Sequence, residues 1–220
     1  MTPRRTDPAA RSALIDIAAR ILAEEGPRAL STRRLARAAG TSTMVVYTHF
    51  HGMSGLVRAM VHEGFARLHR HLTGVGRTDD PVCDMAMLGR AYRYNALSNP
   101  HLYSVMFGAS SPGGFSLSEA DRQHGRYTLR TVAECAARCV AAGRFRKSDT
   151  ELVAHQMWSA VHGLVVLELG GYLIEPHTAE RCLDPQLIGL MVGAGDTLEA
   201  ATRSVAASAA RFPRAGGEGR

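Results

Sequence analysis

Hydrophobic residues recur at helical spacing along nearly the whole chain. Between Asp7 and Glu25 they follow an i, i+3, i+4, i+7 repeat, which places one set on a single side of a helix: Leu14, Ile17, Ala18, Ile21 and Leu22. The Gly26-Pro27 pair then ends the pattern. No segment alternates apolar and polar residues as a half-buried strand would. The pattern therefore predicts an all-α protein.

Two short helices are predicted directly after the first. Ser31 stands where the N-cap of a helix belongs, and Gly40 tolerates the left-handed conformation in which helices often end. A third helix, from about Ser42 to Thr48, follows after almost no linker. Two short helices around a tight glycine turn, braced by a longer helix, form a helix-turn-helix.

The later helical segments are longer, and glycine and proline mark their ends. One helix begins near Met53 and ends at Gly74, which makes it long enough to connect two domains. Asp184-Pro185 predicts a helix start, because Asp caps a helix and Pro suits its first turn. Helices are also expected over these ranges: Pro81 to Ser98, Pro100 to Met106, Ser118 to Ala142, Asp149 to Leu173 and Pro185 to Phe212.

The 220 residues suffice for a small domain joined to a larger one. We expect a DNA-binding domain of three helices at 1–52, a larger helical domain at 53–212 that brings the total to about nine helices, and a disordered tail at 213–220. The small polar loop from Gly108 to Ser116 is expected to be mobile.

Positive charge is concentrated near the N-terminus. Eight arginines and four acidic residues lie before Gly52, whereas the remaining chain has eighteen basic and sixteen acidic residues. This distribution favours a module that binds a polyanion. Because Lys147 is the only lysine, a general preference for arginine is an alternative explanation.

The third predicted helix has the composition of one that enters the major groove of DNA. Small hydroxyl and apolar side chains at its start, Ser42, Thr43 and Met44, would bring the backbone close to base edges and phosphates. Tyr47 would reach outward to a phosphate, although a buried packing role is an alternative.

Two other residues of this helix are expected to face the protein interior. Val46 and Phe50 are four residues apart and therefore share a helix face. They would hold the helix against apolar residues of the two preceding helices, namely Leu35, Ala39 and Ile17.

Three segments in about the first sixty residues combine into a specific pattern: Ser31-Thr32-Arg33-Arg34-Leu35-Ala36, Ala39-Gly40-Thr41-Ser42, and Val46-Tyr47-Thr48-His49-Phe50 followed by Leu56. Together they resemble the TetR family of bacterial transcriptional regulators. The resemblance implies that Thr32, Ser42 and Tyr47 contact the DNA backbone. It also implies positions facing or near the bases for these residues: Arg33, Thr43, Met44 and Thr48.

One position departs from the family pattern. Members usually carry a lysine three residues after the phenylalanine, and Met53 occupies that place here, so a common phosphate contact is missing. His49 or His51 would compensate in one interpretation, and His49 is included among the expected DNA contacts. In the alternative, a histidine at such a position caps or packs.

The resemblance further implies a ligand pocket and a dimer interface in the larger domain. The helix expected at 149–173 is apolar nearly all round, so it needs cover on both sides. In the last predicted helix, Gly189 and Gly193 permit close approach, and apolar residues recur at steps of three and four: Leu187, Met191, Ala194, Leu198, Ala201 and Val205. We expect a homodimer with a two-fold interface of four helices, formed by the last two helices of each chain. The alternative is a monomer whose last helix covers its own core.

The segment Trp158-Ser159-Ala160-Val161-His162-Gly163 looks like the Trp-x-x-x-His-Gly signature of one C-terminal subclass of the same family. Trp158 and His162 share a helix face, either as a tryptophan packed over a core histidine or as two walls of a ligand cavity. Other candidates, each of which could alone be a core residue, suggest a pocket for a small, largely apolar molecule: Tyr92, Asn95, Tyr103, Met106, Phe107 and Tyr127.

Signatures of catalysis are missing from the sequence. It has no Gly-x-Ser-x-Gly, no phosphate-binding glycine loop and no Glu-x-x-His pair. The four cysteines form no Cys-x-x-Cys pair, and Cys135 and Cys139 complete an apolar stripe, which favours core packing over metal binding or redox sensing. We expect no enzyme activity, no metal and no cofactor. The start of the chain lacks the apolar core of a signal peptide, so a cytoplasmic protein is expected.

Three functions remain open. The first is a dimeric repressor that binds a palindromic double-stranded DNA operator and is released by a small molecule. The second is a DNA-binding regulator controlled by a protein partner or by no effector, which a cavity too small or too polar for a ligand would favour. The third is a helical enzyme or structural protein with an incidental DNA-binding domain.

Overall fold

A computed structural model describes residues 8–107 and 118–212, and within these ranges every regular element is a helix. The all-α prediction is thereby confirmed. The loop expected at 108–116 and the tail expected at 213–220 lie outside the described residues. In chain order the elements are α1 (Pro8–Glu25), the 3-10 helix η1 (Pro27–Ala29), α2 (Thr32–Ala38), α3 (Thr43–Phe50), α4 (Met53–Thr73), α5 (Pro81–Ser98), α6 (Pro100–Phe107), α7 (Glu119–Gln123), α8 (Arg126–Ala141), α9 (Thr150–Leu169), α10 (Ala179–Ala194) and α11 (Leu198–Arg211).

Several helices begin where the sequence predicts a start, and one of them at the predicted cap, Ser31. The Oγ of Ser31 accepts a hydrogen bond from the backbone N–H of Arg34 at 3.2 Å, and that of Ser42 accepts one from Val45 at 3.4 Å. The carboxylate of Asp149 caps α9 in the same way. These caps supply partners for N–H groups that have none inside the helix.

Two predicted long helices are each divided in the structure, which gives eleven α-helices in the described ranges instead of about nine. The first division, between α7 and α8, falls at Gly125, where an added Cβ would lie 2.0 Å from a ring carbon of Phe65. The second falls at Gly195, whose φ of +121° suits glycine alone. The spacing of apolar residues predicts neither break, because the first involves the close approach of another helix and the second involves the backbone conformation of one glycine.

The start predicted at Asp184-Pro185 is wrong. α10 begins six residues earlier, at Ala179, and contains Pro185 in its interior. Asp184 does not cap a helix, because it lies inside α10; its carboxylate accepts a hydrogen bond from the guanidinium of Arg90 at 2.6 Å.

The chain divides into two compact units, the first within Met1–Arg67 and Asn99–Gly125 and the second within Leu68–Ser98 and Arg126–Arg220. In the first unit α1 packs on α6, and α2 packs on α3. Arg67 of α4 joins α1 and the residue that precedes α6, with its guanidinium 2.9 Å from Asp16 and 2.8 Å from the side-chain oxygen of Asn99. The domain boundary expected after residue 52 divides the chain by function and stays a prediction.

In the second unit α5 is central and packs against α8, α9 and α11. Partly buried ion pairs hold this layer together, including Arg138–Asp84 at 2.8 Å and Arg144–Asp196 at 2.6 Å. Removing one member of such a pair would leave a charge buried without a partner, which is strongly destabilising.

Candidate nucleic-acid interface and effector cavity

A tight turn joins α2 to α3. Gly40 has a φ of +62°, in the left-handed region that favours glycine. The backbone N–H of Thr41 donates to the carbonyl of Ala36 at 2.9 Å and closes the turn on the end of α2. Leu35 of α2 and Val46 of α3 are both fully buried, so the pair of helices shares an apolar contact. This geometry is a helix-turn-helix.

The two faces of α3 differ in exposure. Val46 and Phe50 are 0% and 3% exposed, as their spacing predicts. Met44 and Tyr47, by contrast, are 70% and 58% exposed. Neighbouring large apolar side chains that project together from a well-packed helix mark a surface for contact with another molecule.

The other predicted DNA-contacting residues lie on α2, on α3 and at the start of α3. Arg33, Ser42, Thr43 and Thr48 are exposed, whereas Thr32 and His49 are half-buried. The hydroxyl of Thr48 donates to the carbonyl of Met44 at 2.8 Å, which fixes that side chain along the helix. The His49 ring tilts against Phe50 with 5.9 Å between the ring centroids. Its contact with DNA stays a prediction.

Two features missed by sequence reasoning fix the chain at the end of α3. His51 adopts a left-handed φ of 56° and ends the helix. Gly55 lies so close to α3 that an added Cβ would be 1.8 Å from the carbonyl oxygen of Phe50. A glycine in the first turn of a helix lowers the stability of the helix. Its presence at position 55 could therefore have indicated, from the sequence alone, that the backbone is closely packed there. Met53, which stands where the family usually has lysine, is half-buried beside this contact.

The arginines near the helix-turn-helix fall into two groups. Arg34 is held by Glu25 of α1, with nitrogen and oxygen 2.6 Å apart, and the guanidinium of Arg11 lies 5.5 Å from the Phe50 ring centre. Arg33 and Arg37 are exposed and have no carboxylate partner within the described ranges. Arg37 is therefore a further candidate for phosphate contact that the sequence pattern did not single out.

The second unit contains an apolar cavity of about 40 Å³ between α4, α5, α8, α9 and α10. Its wall is formed mainly by aliphatic and aromatic side chains, among them Leu68, Leu88, Val132, Trp158 and Val161. One water molecule takes about 30 Å³ of liquid volume, and pockets for drug-sized ligands reach about 300 Å³ or more. In this conformation the cavity therefore accommodates no more than a very small group.

Three polar side chains beside this cavity satisfy one another. The indole N–H of Trp158 donates to the hydroxyl of Tyr92 at 3.2 Å, and the same hydroxyl lies 3.0 Å from Nδ1 of His162. Burial lowers the pKa of His162, which favours the neutral imidazole. Trp158 and Tyr92 line the cavity, and His162 is connected to it through Tyr92.

The other residues predicted for a ligand pocket are not among the side chains that line this cavity. Asn95 is buried on α5, and Tyr127 lines a surface groove between α8 and α9. Three more belong to α6 in the first unit: Tyr103, Met106 and Phe107. Of the eight predicted residues, the structure thus brings Tyr92, Trp158 and His162 together.

The cysteines of α8 lie in the core. Cys135 and Cys139 are buried, and the hydrogen bond that the Cys139 thiol donates to the sulfur of Cys135, together with burial, raises the pKa of Cys139. A thiol with a raised pKa is a poor nucleophile and a poor metal ligand. Within residues 8–107 and 118–212, no group of three or more His, Cys, Asp or Glu side chains is arranged to hold a metal ion.

Two family models match the two parts of the chain. The model described as "Bacterial regulatory proteins, tetR family" matches residues 14–60, which include the helix-turn-helix. The model described as "Tetracyclin repressor-like, C-terminal domain" matches residues 85–190, which include the cavity helices α5, α8 and α9. The chain belongs to the TetR family of transcriptional regulators. It is a member of a family of DNA-binding regulators, which are not enzymes.

Solved structures share the TetR fold. A protein of unknown function from Rhodococcus sp. RHA1 has a TM-score of 0.71 and 24% identity, covering 89% of this chain and 100% of its own. The TetR family transcriptional regulator PfmR from Thermus thermophilus has a TM-score of 0.66 and 20% identity, covering 84% and 99%. A bacterial regulatory protein in the tetR family from Rhodococcus RHA1 has a TM-score of 0.65 and 20% identity, covering 87% and 100%. No curated protein matches the chain.

In this TetR-family fold, α9 has one buried and one exposed apolar face. By length and composition it is the one described helix that could cross a membrane, yet it is a domain helix that packs against α5, α8 and α10. Met157, Val161 and Leu164 are buried, whereas Val166 and Leu167 are 46% and 45% exposed. The exposed face of α9 is therefore available to a partner.

The apolar stripe predicted for the dimer interface mostly faces the protein's own core. Leu187 and Met191 of α10, and Ala201 and Val205 of α11, are at most 1% exposed. α11 packs on α5 and so covers the core of its own subunit, as the monomer alternative supposed for the last helix. Periodicity identified a buried face correctly but assigned it to the wrong neighbour.

Proposed function

We propose that this TetR-family protein is a homodimeric, sequence-specific repressor that binds a palindromic DNA operator in the cytoplasm and is released by a small, largely apolar ligand. The observation that carries the proposal is the exposed face of α3, where Met44 and Tyr47 project from a helix whose other face is anchored by Val46 and Phe50. A recognition helix needs this combination of a rigid base and an open reading face.

The proposed DNA contacts follow from position on the two helices. Ser42, Thr43 and Met44 lie at the N-terminal end of α3, the end that a recognition helix directs at base edges. Tyr47 and Arg33 are exposed on the same pair of helices and would contact DNA beside them. Phosphate contacts would fix the register, and the residues at the start of α3 would read the sequence.

The proposed dimer uses α9 and α10 of each subunit. Val166 and Leu167 of α9 and Val192 of α10 are exposed, and α9 packs beside α10. Gly189 and Gly193 have no atom within 4 Å of the position that a Cβ would take. Exposed apolar residues next to open glycines suit close packing of a second copy around a two-fold axis. Four helices would then form the interface.

The proposed release mechanism works through α4. Leu68 and Leu72 near the C-terminal end of this helix line the cavity, and its N-terminal residues follow α3 directly. A ligand that enlarges the cavity would favour a state with α4 shifted, in which the two recognition helices no longer match successive major grooves. The ligand must bind the two states with different affinity, because equal affinity would leave their populations unchanged.

A second candidate is a regulator controlled by a protein partner or by no effector. The cavity volume of about 40 Å³ favours it, because a ligand would have to open this space before binding. The satisfied Trp158–Tyr92–His162 hydrogen bonds also suit a core that serves stability alone.

The experiment that tests the proposed function is fluorescence anisotropy with the purified protein and labelled DNA flanking its own gene, measured with scrambled competitor at several salt concentrations. Tight binding of a dimer to a palindrome, insensitive to the competitor, is the expected result. Weak binding that ignores sequence at every salt concentration would contradict it.

The two candidates are then separated by a compound screen with the same operator complex. Under the ligand-release mechanism a small apolar compound lowers operator affinity, and Trp158→Ala removes that response while DNA binding remains. If no compound acts on the operator complex, the second candidate is favoured. If Trp158→Ala unfolds the protein or dissociates the dimer, the role of Trp158 is structural.

A further inference from the structure

A surface groove of about 440 Å³ lies between α8 and α9 of the second unit. Its volume falls in the range of about 300–1,000 Å³ that small-molecule sites occupy. Arg126, Tyr127 and Arg130 of α8 form part of its wall, and His155 of α9 forms another part. This groove is therefore large enough for a ligand, which the inner cavity of about 40 Å³ is not.

The groove and the inner cavity share a wall residue. Leu129 lines both spaces; Tyr127 and Arg130 are further wall residues of the groove, and Val132 and Trp158 are further wall residues of the cavity. Leu129 is half-buried, and a leucine side chain changes rotamer without breaking a hydrogen bond. Two residues of α9 also lie on the two sides: His155 lines the groove and Trp158 lines the cavity. Their ring centroids are 6.4 Å apart.

The charges in the groove favour an anion at one end. Arg126 and Arg130 are exposed, lie four residues apart on one face of α8, and have no acidic partner within the described ranges. Like charges at this spacing destabilise a helix, and a bound anion would remove the repulsion. Carboxylates suit this position because the guanidinium fork donates two parallel hydrogen bonds to them.

The acidic residues of the groove do not cancel this pair. Glu134 lies 3.3 Å from Arg77, and Glu151 belongs to the first turn of α9. The lining residues show that α8 and α9 run antiparallel, since Ala137 near the end of α8 shares the groove with Thr150 and Leu129 shares the cavity with Trp158. Glu151 therefore lies towards the connecting loop, whereas Arg126 and Arg130 lie towards the other end, with Leu129.

From these observations we infer that the groove is the entrance to the effector cavity, that Leu129 is its gate, and that the effector is an amphiphile with an anionic head and an apolar body. Arg126 and Arg130 hold the head, and the body passes Leu129 towards Leu88 and Val132 in the state in which the ligand has enlarged the cavity beyond about 40 Å³. This inference rests on the proposed function in taking the cavity as the effector site.

Decanoate is a suitable probe, and Trp158 is a suitable reporter, since it is the only tryptophan in the chain and lines the cavity. We expect decanoate to change the Trp158 emission in a saturable way. Decan-1-ol and decyltrimethylammonium, which carry the same tail, serve as neutral and cationic controls. The Arg126→Gln/Arg130→Gln double variant should weaken decanoate binding roughly tenfold, while decan-1-ol affinity changes less than about twofold. Arg181→Gln, which removes an exposed arginine from α10, should change neither affinity.

The gate is tested by stopped-flow fluorescence. Leu129→Ala should raise the association rate of decanoate several-fold, because the truncated side chain no longer separates the two spaces. If the alanine variant folds poorly, Leu129→Met is measured in its place. It keeps most of the side-chain volume with a more flexible chain, so it should also raise the association rate.

The inference is overturned by any of three results: no saturable response to decanoate, equal weakening of decanoate and decan-1-ol in the double variant, or calorimetric binding of decanoate without a change at Trp158. Decanoate binding of the expected kind that leaves operator affinity unchanged supports the entrance and the gate but contradicts the effector class that we infer, and the proposed function then keeps its operator binding without this ligand. Failure of the protein to bind DNA without any ligand bears on the proposed function alone.

Discussion

Tyr47 projects from α3 with 58% of its surface exposed, which excludes a buried packing role within the subunit. If its hydroxyl contacts a phosphate, Tyr47→Phe removes one hydrogen bond per subunit, worth about 1 kcal/mol, and lowers affinity roughly 30-fold for a dimer. The loss should be equal for operator and scrambled DNA, because phosphates carry no sequence information. Fluorescence anisotropy measures both, with the exposed Tyr94 of α5 changed to Phe as a control. Unchanged affinity of Tyr47→Phe would show that its hydroxyl makes no such contact.

Thr43 begins α3 and is exposed, so its expected role is to read a base. Thr43→Ala should change the ranking of operator variants at one symmetric pair of positions, with differences of about 1–3 kcal/mol per base pair. Affinity for scrambled DNA should stay the same. Competition among a set of single-substitution operators checks this. A uniform loss across the set would instead assign Thr43 to the backbone.

His162 connects the cavity to the pH dependence of stability. Burial lowers its pKa below 6.5, so as pH falls through 6.5 the unfolded chain binds a proton that the folded protein resists. The free energy of unfolding should therefore decrease between pH 7.5 and pH 5.5, a window above the titration of the carboxylates. His62 and His71, whose pKa values burial also lowers, act in the same direction. Urea denaturation of His162→Gln should show a smaller decrease than the parent protein.

Exposed His177 provides the control for that measurement. His177→Gln shows how much of any change comes from replacing a histidine at an exposed position. An identical decrease in His162→Gln and in the parent protein would mean that His162 binds protons equally in the folded and unfolded chain.

At the scale of helices, the proposed dimer interface includes α10 and excludes α11. An added side chain at Gly189 meets nothing within the subunit, and a residue with higher helix propensity replaces glycine there. Gly189→Arg should therefore keep the subunit folded but dissociate the dimer, and operator affinity should fall at least about tenfold because each molecule then holds one half-site. Light scattering and anisotropy measure the two effects. Ala206→Arg, on the exposed face of α11, should leave the dimer intact, and the reverse pattern would place the interface on α11.

Helix starts could be predicted from sequence where the determinant is local. Ser31, Ser42 and Asp149 cap helices through atoms two or three residues away, so their chemistry is legible in the chain itself. The breaks at Gly125 and Gly195 could not be predicted, because each depends on a distant neighbour: the Phe65 ring beside Gly125 and the backbone of Arg146 beside Gly195.

The candidate sites show the same limit. The inward and outward faces of α3 follow from spacing alone, since Val46 and Phe50 repeat at one turn. Periodicity also indicates that Leu187 and Met191 are buried. It does not tell whether they are buried in the core of their own subunit or against a partner subunit, because an apolar stripe suits both. The pocket residues were harder still, because an aromatic residue such as Tyr103 carries no mark of which cavity it lines.

For the whole molecule, the structure changes the meaning of the charge count. The excess of arginine before Gly52 is partly consumed by ion pairs within the first unit, such as Arg34–Glu25 at 2.6 Å and Arg20–Glu24 at 3.7 Å. Arg33 and Arg37 remain exposed without an acidic partner in the described ranges. The electrostatic contribution to DNA binding therefore depends on fewer arginines than the sequence contains. The contribution of each phosphate contact to affinity is correspondingly easier to measure.

Met53 allows a direct measurement of the contribution that one phosphate contact per subunit makes to the DNA affinity of the dimer. It occupies the position where the family usually has lysine, at the first residue of α4, and it is half-buried beside α3. Met53→Lys should add one phosphate contact per subunit, so the plot of log affinity against log salt should steepen by about 1.8 for the dimer, from about 0.9 per contact. Affinity for all sequences should rise together at low salt, and the preference for the operator over scrambled DNA should stay constant. Leu198→Lys adds the same charge to the second unit at an exposed position and should leave the slope unchanged. If both lysines steepen the slope equally, the gain is a general effect of net charge, and Met53 marks no lost contact.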